Sequence, residues 1–144
     1  MIVLDTNAVS EVLRPAPSES VLRWLASQDP LNIFVTVITQ AEMLYGVEVL
    51  ASGKRKQSLL ALTEKLFGAE GFQDRILPFD DPSAREFASI LASRKSAGRP
   101  MSQFDAMIAA IARSHGATLA TRNTTDFEHC GIRLVNPWAA PDVH

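Results

Sequence analysis

The sequence predicts an α/β fold, a three-layer α/β/α sandwich built on a mostly parallel five-stranded sheet. Short apolar runs alternate with longer segments whose apolar residues recur at helical spacing, a pattern typical of a sheet covered by helices. The first run is apolar at every position and ends at an acid, as in a strand buried on both faces. Right-handed crossovers then place helices on both faces of the sheet. With 144 residues, the chain is expected to form one domain over residues 1–144.

The five predicted strands are short and mostly apolar. They are residues 2–4, 33–37, 75–79, 118–121 and 132–135. The first strand is predicted to lie at the centre of the sheet, because a fully apolar strand needs cover on both faces. The pattern leaves the order of the other strands open.

Two helices are predicted between the first and second strands. Asp5 and Thr6 offer N-caps for a short helix that extends to about residue 13, and Pro15 and Pro17 stop it. A second helix follows Ser18, since the apolar residues of that segment recur on one face.

Two more helices are predicted before the third strand. Thr39 and Glu42 have the spacing of a capping box, which predicts a helix that begins at Thr39 and runs towards Gly53. Residues 54–67 follow as a second amphipathic helix, with leucines at helical spacing.

The last two helices flank the loop at Gly98. Asp81 is predicted as an N-cap with Pro82 at the first helical position. The clearest helix covers residues 102–115, and Gly116 provides its stop. Its apolar stripe consists of Phe104, Met107, Ile108 and Ile111.

Composition limits the classes of function. The formal net charge of −2 means that a nucleic acid must be held by local basic residues, because the overall field does not attract a polyanion. Arg14, Arg99 and Arg122 lie near predicted strand ends and are candidate phosphate contacts. The single cysteine, Cys130, excludes an internal disulfide. With neither a signal-like start nor a membrane-length apolar run, the chain is expected to be cytoplasmic.

Four acids sit where predicted strands pass into helices or turns: Asp5, Glu42, Asp105 and Asp126. In a parallel sheet these points lie along one edge, so residues distant in sequence can meet in one crevice. Carboxylates gathered there repel each other, and a divalent cation relieves the repulsion. Because no His or Cys pair accompanies them, the predicted ion is Mg²⁺ or Mn²⁺ in preference to Zn²⁺.

Each acid also has a purely structural interpretation. Asp5 can cap a helix, and Glu42 can complete a capping box with Thr39. Asp105 stands in the same relation to Ser102, and Asp126 can be a turn residue. The shared location favours a metal site, but single positions leave both interpretations open.

Several stretches together carry a family resemblance. They are residues 3–7, Glu42 with Tyr45 and Gly46, residues 104–110, residues 119–123 with Asp126 and Phe127, and residues 135–138. In order and spacing the chain resembles the PIN-domain ribonucleases, and more narrowly the VapC and FitB-like toxins of bacterial toxin–antitoxin pairs.

The resemblance implies a PIN-like fold and a divalent-metal endoribonuclease, and it suggests tRNA or another structured RNA as substrate. It also implies a homodimer, able to pair into a dimer of dimers, and a cognate VapB- or FitA-like antitoxin that blocks the site. The matched metal-site acids are Asp5, Glu42, Asp105 and Asp126. The matched polar positions beside them, which orient ligands or the substrate phosphate, are Thr6, Asn7, Thr121 and Asn123. Candidate apolar groove residues for the antitoxin are Val12, Leu13, Trp24, Leu44 and Val47.

Other classes fit the sequence less well. A receiver-type signalling domain also binds Mg²⁺ in an acidic pocket, and Asp80 and Asp81 follow the third strand, but a receiver needs a basic residue after its last strand, where Asn136 follows instead. A dinucleotide-binding role lacks its Gly-rich loop. A PIN-fold binding module without catalysis stays open.

Overall fold

A computed structural model describes residues 1–139; the last five residues of the predicted domain, including His144, lie outside the described part. The five strands form one sheet that is parallel throughout, where the sequence predicted a mostly parallel one. They are β1 (Ile2–Leu4), β2 (Ile33–Thr36), β3 (Ile76–Leu77), β4 (Thr118–Ala120) and β5 (Arg133–Val135). Their spatial order is β3-β2-β1-β4-β5, which confirms β1 as the central strand.

Within the described residues 1–139, six helices connect and cover the strands. They are α1 (Thr6–Val12), α2 (Glu19–Ala26), α3 (Val37–Glu48), α4 (Lys54–Leu66), α5 (Asp81–Ser96) and α6 (Gln103–Ser114). Short 3₁₀ turns occupy Pro30–Asn32, Gln73–Arg75 and Thr124–Phe127. Among the described residues, no helix combines the length and the apolar character needed to cross a bilayer.

Both faces of the sheet are buried, and the side chains of each strand alternate between them. On β1, Val3 packs with the cluster under α5 and α6, whereas Ile2 and Leu4 pack with the cluster under α1 to α4. On β4, Leu119 and Ala120 divide in the same way. This two-sided burial explains the uninterrupted apolar strands and confirms the three-layer sandwich.

Two predicted helix starts are wrong. Helix α3 begins at Val37, not Thr39, because the Thr36 hydroxyl at the end of β2 accepts a hydrogen bond of 3.1 Å from the Thr39 N–H. Helix α5 is capped by Asp80 instead of Asp81, since the Asp80 carboxylate accepts from the Ser83 N–H at 3.2 Å and from its hydroxyl at 2.8 Å. In both cases the cap lies upstream of the predicted residue.

Phe104, a member of the predicted apolar stripe on α6, is not in the core. Phe104 is 55% exposed, whereas Ile108 and Ile111 are buried. It belongs to the first turn of α6, and the buried stretch of that helix starts only at Ala106. The first turn therefore extends beyond the core and carries its side chains to the edge of the sheet.

The strand order determines where a site can form. From β1 the chain passes outward to β2 and β3 on one side, and later to β4 and β5 on the other. In open α/β sheets, ligands bind outside the carboxyl ends of the strands at such a reversal point. Asp5 follows β1 and Thr121 follows β4 directly, so both lie at this position.

Candidate active site

Asp5 is a buried carboxylate at the carboxyl end of the central strand. Its side chain is only 4% exposed. It caps α1, accepting a hydrogen bond of 2.8 Å from the Ala8 N–H, so the structural interpretation as an N-cap is correct. Burial raises the pKa of Asp5 from its ordinary value of 3.8; hydrogen bonds from Thr121 and Ala8 oppose the rise, and the charges of Asp105 and Glu42 add to it.

The end of β4 supports this carboxylate. Thr121 is fully buried, and its side chain hydrogen-bonds to Asp5. The Thr121 hydroxyl oxygen also accepts from the Asn123 N–H at 3.0 Å, which fixes the turn after the strand. Asn123 itself is exposed at the edge of the sheet.

Glu42 reaches the site from the second turn of α3. Its carboxylate accepts a hydrogen bond of 2.7 Å from the Thr6 hydroxyl, and the Thr6 and Thr39 hydroxyls lie 3.0 Å apart. Because the single Thr6 proton points to Glu42, Thr39 donates to Thr6. The capping-box interpretation of Glu42 is therefore wrong: its partner is a neighbouring helix, not its own N-terminus.

Asp105 lies in the first turn of α6. Its N–H donates to the Ser102 hydroxyl at 3.1 Å, as expected for a capped helix start. Burial raises the pKa of Asp105, the Ser102 side chain opposes the rise, and the negative charge of Asp126 adds to it. Asp126 is exposed in the turn Thr124–Phe127. The fourth acid is thus a neighbour of Asp105.

The four acids interact electrostatically, but their side chains do not converge on one metal position. The negative charges of Glu42 and Asp105 raise the pKa of Asp5, and the negative charge of Asp126 raises the pKa of Asp105. Within residues 1–139, however, no three His, Cys, Asp or Glu side chains are close enough to form a metal-ligand set. The Thr6 hydroxyl holds Glu42 towards α1, and the Ser102 side chain holds Asp105 at the start of its own helix, α6. Their assignment as metal ligands stays a prediction.

The donor chemistry fits a hard divalent cation. All four candidates are carboxylates, and two of them have a raised pKa because of burial and like charge. Such groups ionise at an energetic cost that a bound cation offsets. Glu42 and Asp105 need only exchange a hydroxyl partner for an ion, since both are partly exposed on helical turns.

The three predicted RNA-contacting arginines differ in their surroundings. Arg14 is exposed and lies 3.3 Å from buried Glu11. Arg122 is exposed, with its guanidinium carbon 5.5 Å from the ring centroid of Trp138. Arg99 pairs with Glu128 at 3.1 Å. Arg14 and Arg122 line one cavity together with Asn7 and Asn123, whereas Arg99 is not part of its lining.

An apolar groove opens beside Glu42, between α1, α3 and α4. This cavity of about 600 Å³ has Thr6, Glu42, Arg14 and Arg55 among its polar lining residues. Its apolar lining consists of Leu13, Met43, Val47, Leu50, Leu59 and Leu62. Of the predicted groove residues, Leu13 and Val47 line it, Trp24 packs in the core, and Val12 and Leu44 are not lining residues.

Sequence reasoning missed several of these residues. Leu59 and Leu62 were assigned to a packing face of α4, but Leu62 is 47% exposed in the groove. Glu11 had no predicted role, yet it is 5% exposed and accepts a 3.1 Å hydrogen bond from the Trp138 indole. No local sequence pattern predicts a contact between two positions as distant in the chain as Glu11 and Trp138.

The strand order also discriminates against the receiver interpretation. Receiver-type sheets have the order 2-1-3-4-5, which places the third strand beside the first. Here β3 is an edge strand, separated from β1 by β2. Asp80 after β3 caps α5, and its neighbours Ser83 and His115 lower its pKa, with no acid of the candidate site among the groups that affect it.

Comparison with known proteins agrees with this architecture. The PIN domain family model matches residues 2–131. The chain is 41% identical to toxin FitB of Neisseria gonorrhoeae, covering 96% of this chain and 99% of that protein. It is 36% identical to VapC ribonuclease Y4jK of Sinorhizobium fredii, with coverages of 96% and 98%. A solved structure of FitAB bound to an IR36 DNA fragment superposes with a TM-score of 0.88 at 40% identity, covering both chains completely.

Replacing Asp5 by Asn is expected to stabilise the metal-free protein at neutral pH. Because the folded-state pKa of Asp5 is raised, its contribution to stability is complete below the unfolded value and is lost as pH rises through the folded pKa. Asn keeps the helix cap and removes that loss. Urea unfolding in EDTA from pH 3 to 8 should show a gain for Asp5→Asn that grows with pH. Exposed Asp74→Asn is the control, and a gain independent of pH would contradict the prediction.

Proposed function

This chain belongs to the PIN-domain family, and we propose that it is the ribonuclease toxin of a toxin–antitoxin pair, an endoribonuclease neutralised by its antitoxin. One observation carries the proposal: a buried Asp5, coupled to Glu42 and Asp105, stands where this fold places its ligands. Relatives named as a toxin and as a ribonuclease support it over 96% of the chain. A cytoplasmic setting is part of the proposal.

The proposed cofactor is Mg²⁺, with Mn²⁺ as a substitute. Asp5 and Asp105 would hold the principal ion, and Glu42 and Asp126 would complete the site directly or through water. The ion supplies Lewis acidity and charge neutralisation at the scissile phosphate. No protein nucleophile is required, because water is the attacking group in hydrolysis.

The polar neighbours position the carboxylates. Thr121 holds Asp5 from β4, and Thr6 holds Glu42 from α1. Since Thr6 adjoins Asp5 in the chain, one short segment orients two acids. Asn7 and Asn123 stand at the rim, where they can contact the substrate phosphate.

The proposed substrate is RNA, with tRNA or another structured RNA as its class. Arg14 and Arg122 offer positive charge beside the acidic edge, which a chain of net charge −2 requires for a polyanion. Arg99 is a weaker candidate because it does not line the cavity that holds Arg14 and Arg122. Sequence-specific RNA cleavage favours loops whose bases are accessible.

The proposed partner is a small VapB- or FitA-like antitoxin. Glu42 is one of the lining residues of the apolar groove of about 600 Å³, so a segment in the groove can extend a basic side chain towards the acids. A homodimer, able to form a dimer of dimers with the antitoxin, completes the proposal. Exposed Val37 and Leu44 on one face of α3, together with exposed Phe104 on neighbouring α6, offer apolar surface for the dimer.

Cleavage tests the catalytic assignment. Asp5→Asn is expected to abolish Mg²⁺-dependent RNA cleavage, and Thr6→Val to reduce it roughly 10- to 100-fold, because it leaves Glu42 unsupported. Glu42→Gln should also lose activity, whereas Glu48→Gln on the exposed side of the same helix should not. The measurement is the cleavage rate of a structured RNA by purified protein. Equal rates for Asp5→Asn and the wild type would refute the assignment.

Metal binding can be measured without cleavage. Mn²⁺ at about 100 times its dissociation constant should stabilise the folded protein by about 2.7 kcal/mol. Asp105→Asn is expected to reduce that gain, because it removes a ligand, while Asp74→Asn keeps it. Thermal melting with Mn²⁺ or EDTA provides the measurement. A melting temperature indifferent to Mn²⁺ would argue against the site.

The groove makes a separate prediction. Leu62→Glu places a charge on its apolar lining and is expected to prevent neutralisation while leaving RNA cleavage intact, since burying an unpaired carboxylate is costly. Leu31→Glu, at a 73% exposed position outside the groove, is the matched control. Titration with the antitoxin encoded beside this chain's gene measures the effect. Full neutralisation of Leu62→Glu would exclude the groove as the docking site.

A further inference from the structure

A second cavity lies on α1, next to the candidate active site. Its volume of about 350 Å³ is at the lower end of the range for small-molecule pockets, roughly 300–1,000 Å³. Its lining residues are Asn7, Ser10, Glu11, Arg14, Arg122, Asn123 and Trp138. Asn7 and Asn123 follow Asp5 and Thr121 by two positions each, so the cavity adjoins the acidic edge.

The aromatic wall of this cavity is fixed in place. The Trp138 indole N–H donates to Glu11, which is 5% exposed, at 3.1 Å. The Trp138 backbone N–H donates to the Asn136 side chain at 3.0 Å, and the Ser20 hydroxyl donates to the Pro137 carbonyl at 2.8 Å. The ring also packs against the core beneath α1 to α4. The turn that carries it is therefore attached to two helices.

Trp138 in turn supports Arg122. The guanidinium carbon lies 5.5 Å from the centroid of the indole ring, within the range of a cation–π interaction. The carboxylate of Glu11 faces Arg14 and the indole N–H, so Arg14 and Arg122 together give the cavity a net positive charge. The planar guanidinium of Arg122, supported by the Trp138 ring beside the acidic edge, is a surface on which a nucleobase can stack.

We propose that this cavity binds the nucleotide next to the scissile phosphate, with its base stacked on the Arg122 guanidinium and its phosphate near Arg14. The assignment rests on the proposed ribonuclease function and adds a substrate-positioning pocket to it. Bases splayed out of single-stranded RNA stack on arginine planes as well as on aromatic rings. Trp138 acts as a positioning residue, because it holds Arg122 ready for the base.

The test measures binding of a short, fully 2′-O-methylated single-stranded RNA by fluorescence anisotropy. An abasic nucleotide is moved through the RNA one position at a time. For the wild-type protein, one position should weaken binding roughly 5- to 150-fold, the usual effect of losing one stacked base. Arg122→Lys keeps the charge but lacks the plane, so the penalty at that position should disappear. Arg133→Lys, at the opposite end of the strands, should keep it.

Arg122→Met separates stacking from charge. It should lose the position-specific penalty and also bind every RNA more weakly by a common factor. Circular dichroism confirms that each variant is folded. Equal abasic penalties in the wild type and Arg122→Lys, or a penalty at no position, would overturn the pocket. The assay is carried out in EDTA, without the divalent cation that hydrolysis requires, so the RNA is not cleaved and the outcome is separate from the Asp5→Asn cleavage test of the proposed function.

Discussion

Burial of the Asp5 carboxylate at the end of the central strand is the constraint on which the site depends. A carboxylate that is 4% exposed needs compensation, and three elements provide it. Helix α1 starts at this residue and donates an N–H, β4 brings the Thr121 side chain beside it, and the all-parallel sheet makes both meet at one edge. The fold thus provides hydrogen bonds to a buried carboxylate that purely apolar packing would destabilise.

The other acids arrive on helices, and each keeps a hydroxyl partner. Glu42 is tied to α1 through Thr6, and Asp105 to its own helix start through Ser102. These hydrogen bonds spread the negative charge over several elements and limit the repulsion around Asp5. The same arrangement leaves the carboxylates able to turn towards a shared cation, because a hydroxyl is a weaker partner than a divalent ion.

Much of this architecture can be predicted from local sequence patterns. Buried strands are apolar runs, Asp5 is itself the N-cap of α1, and Asp105 follows the N-cap Ser102 of α6. The start of α3 is not predicted correctly, because Val37 and Ile38 are β-branched and continue the apolar pattern of the preceding strand. The exposure of Phe104, the groove beside α4 and the pairing of Glu11 with Trp138 depend on how distant elements meet. Such contacts follow from tertiary packing, which periodicity does not encode.

Arg14 occupies an unusual position, because its side chain lines both the apolar groove and the cavity beneath Trp138. Helix α1 contributes residues to both cavities, and Arg14 follows its C-terminal end. Occupants of the two cavities therefore compete for that cation, and thermodynamic linkage makes the competition reciprocal. An inhibitor bound in the apolar groove would therefore lower the affinity for substrate, even where it leaves the acidic edge uncovered.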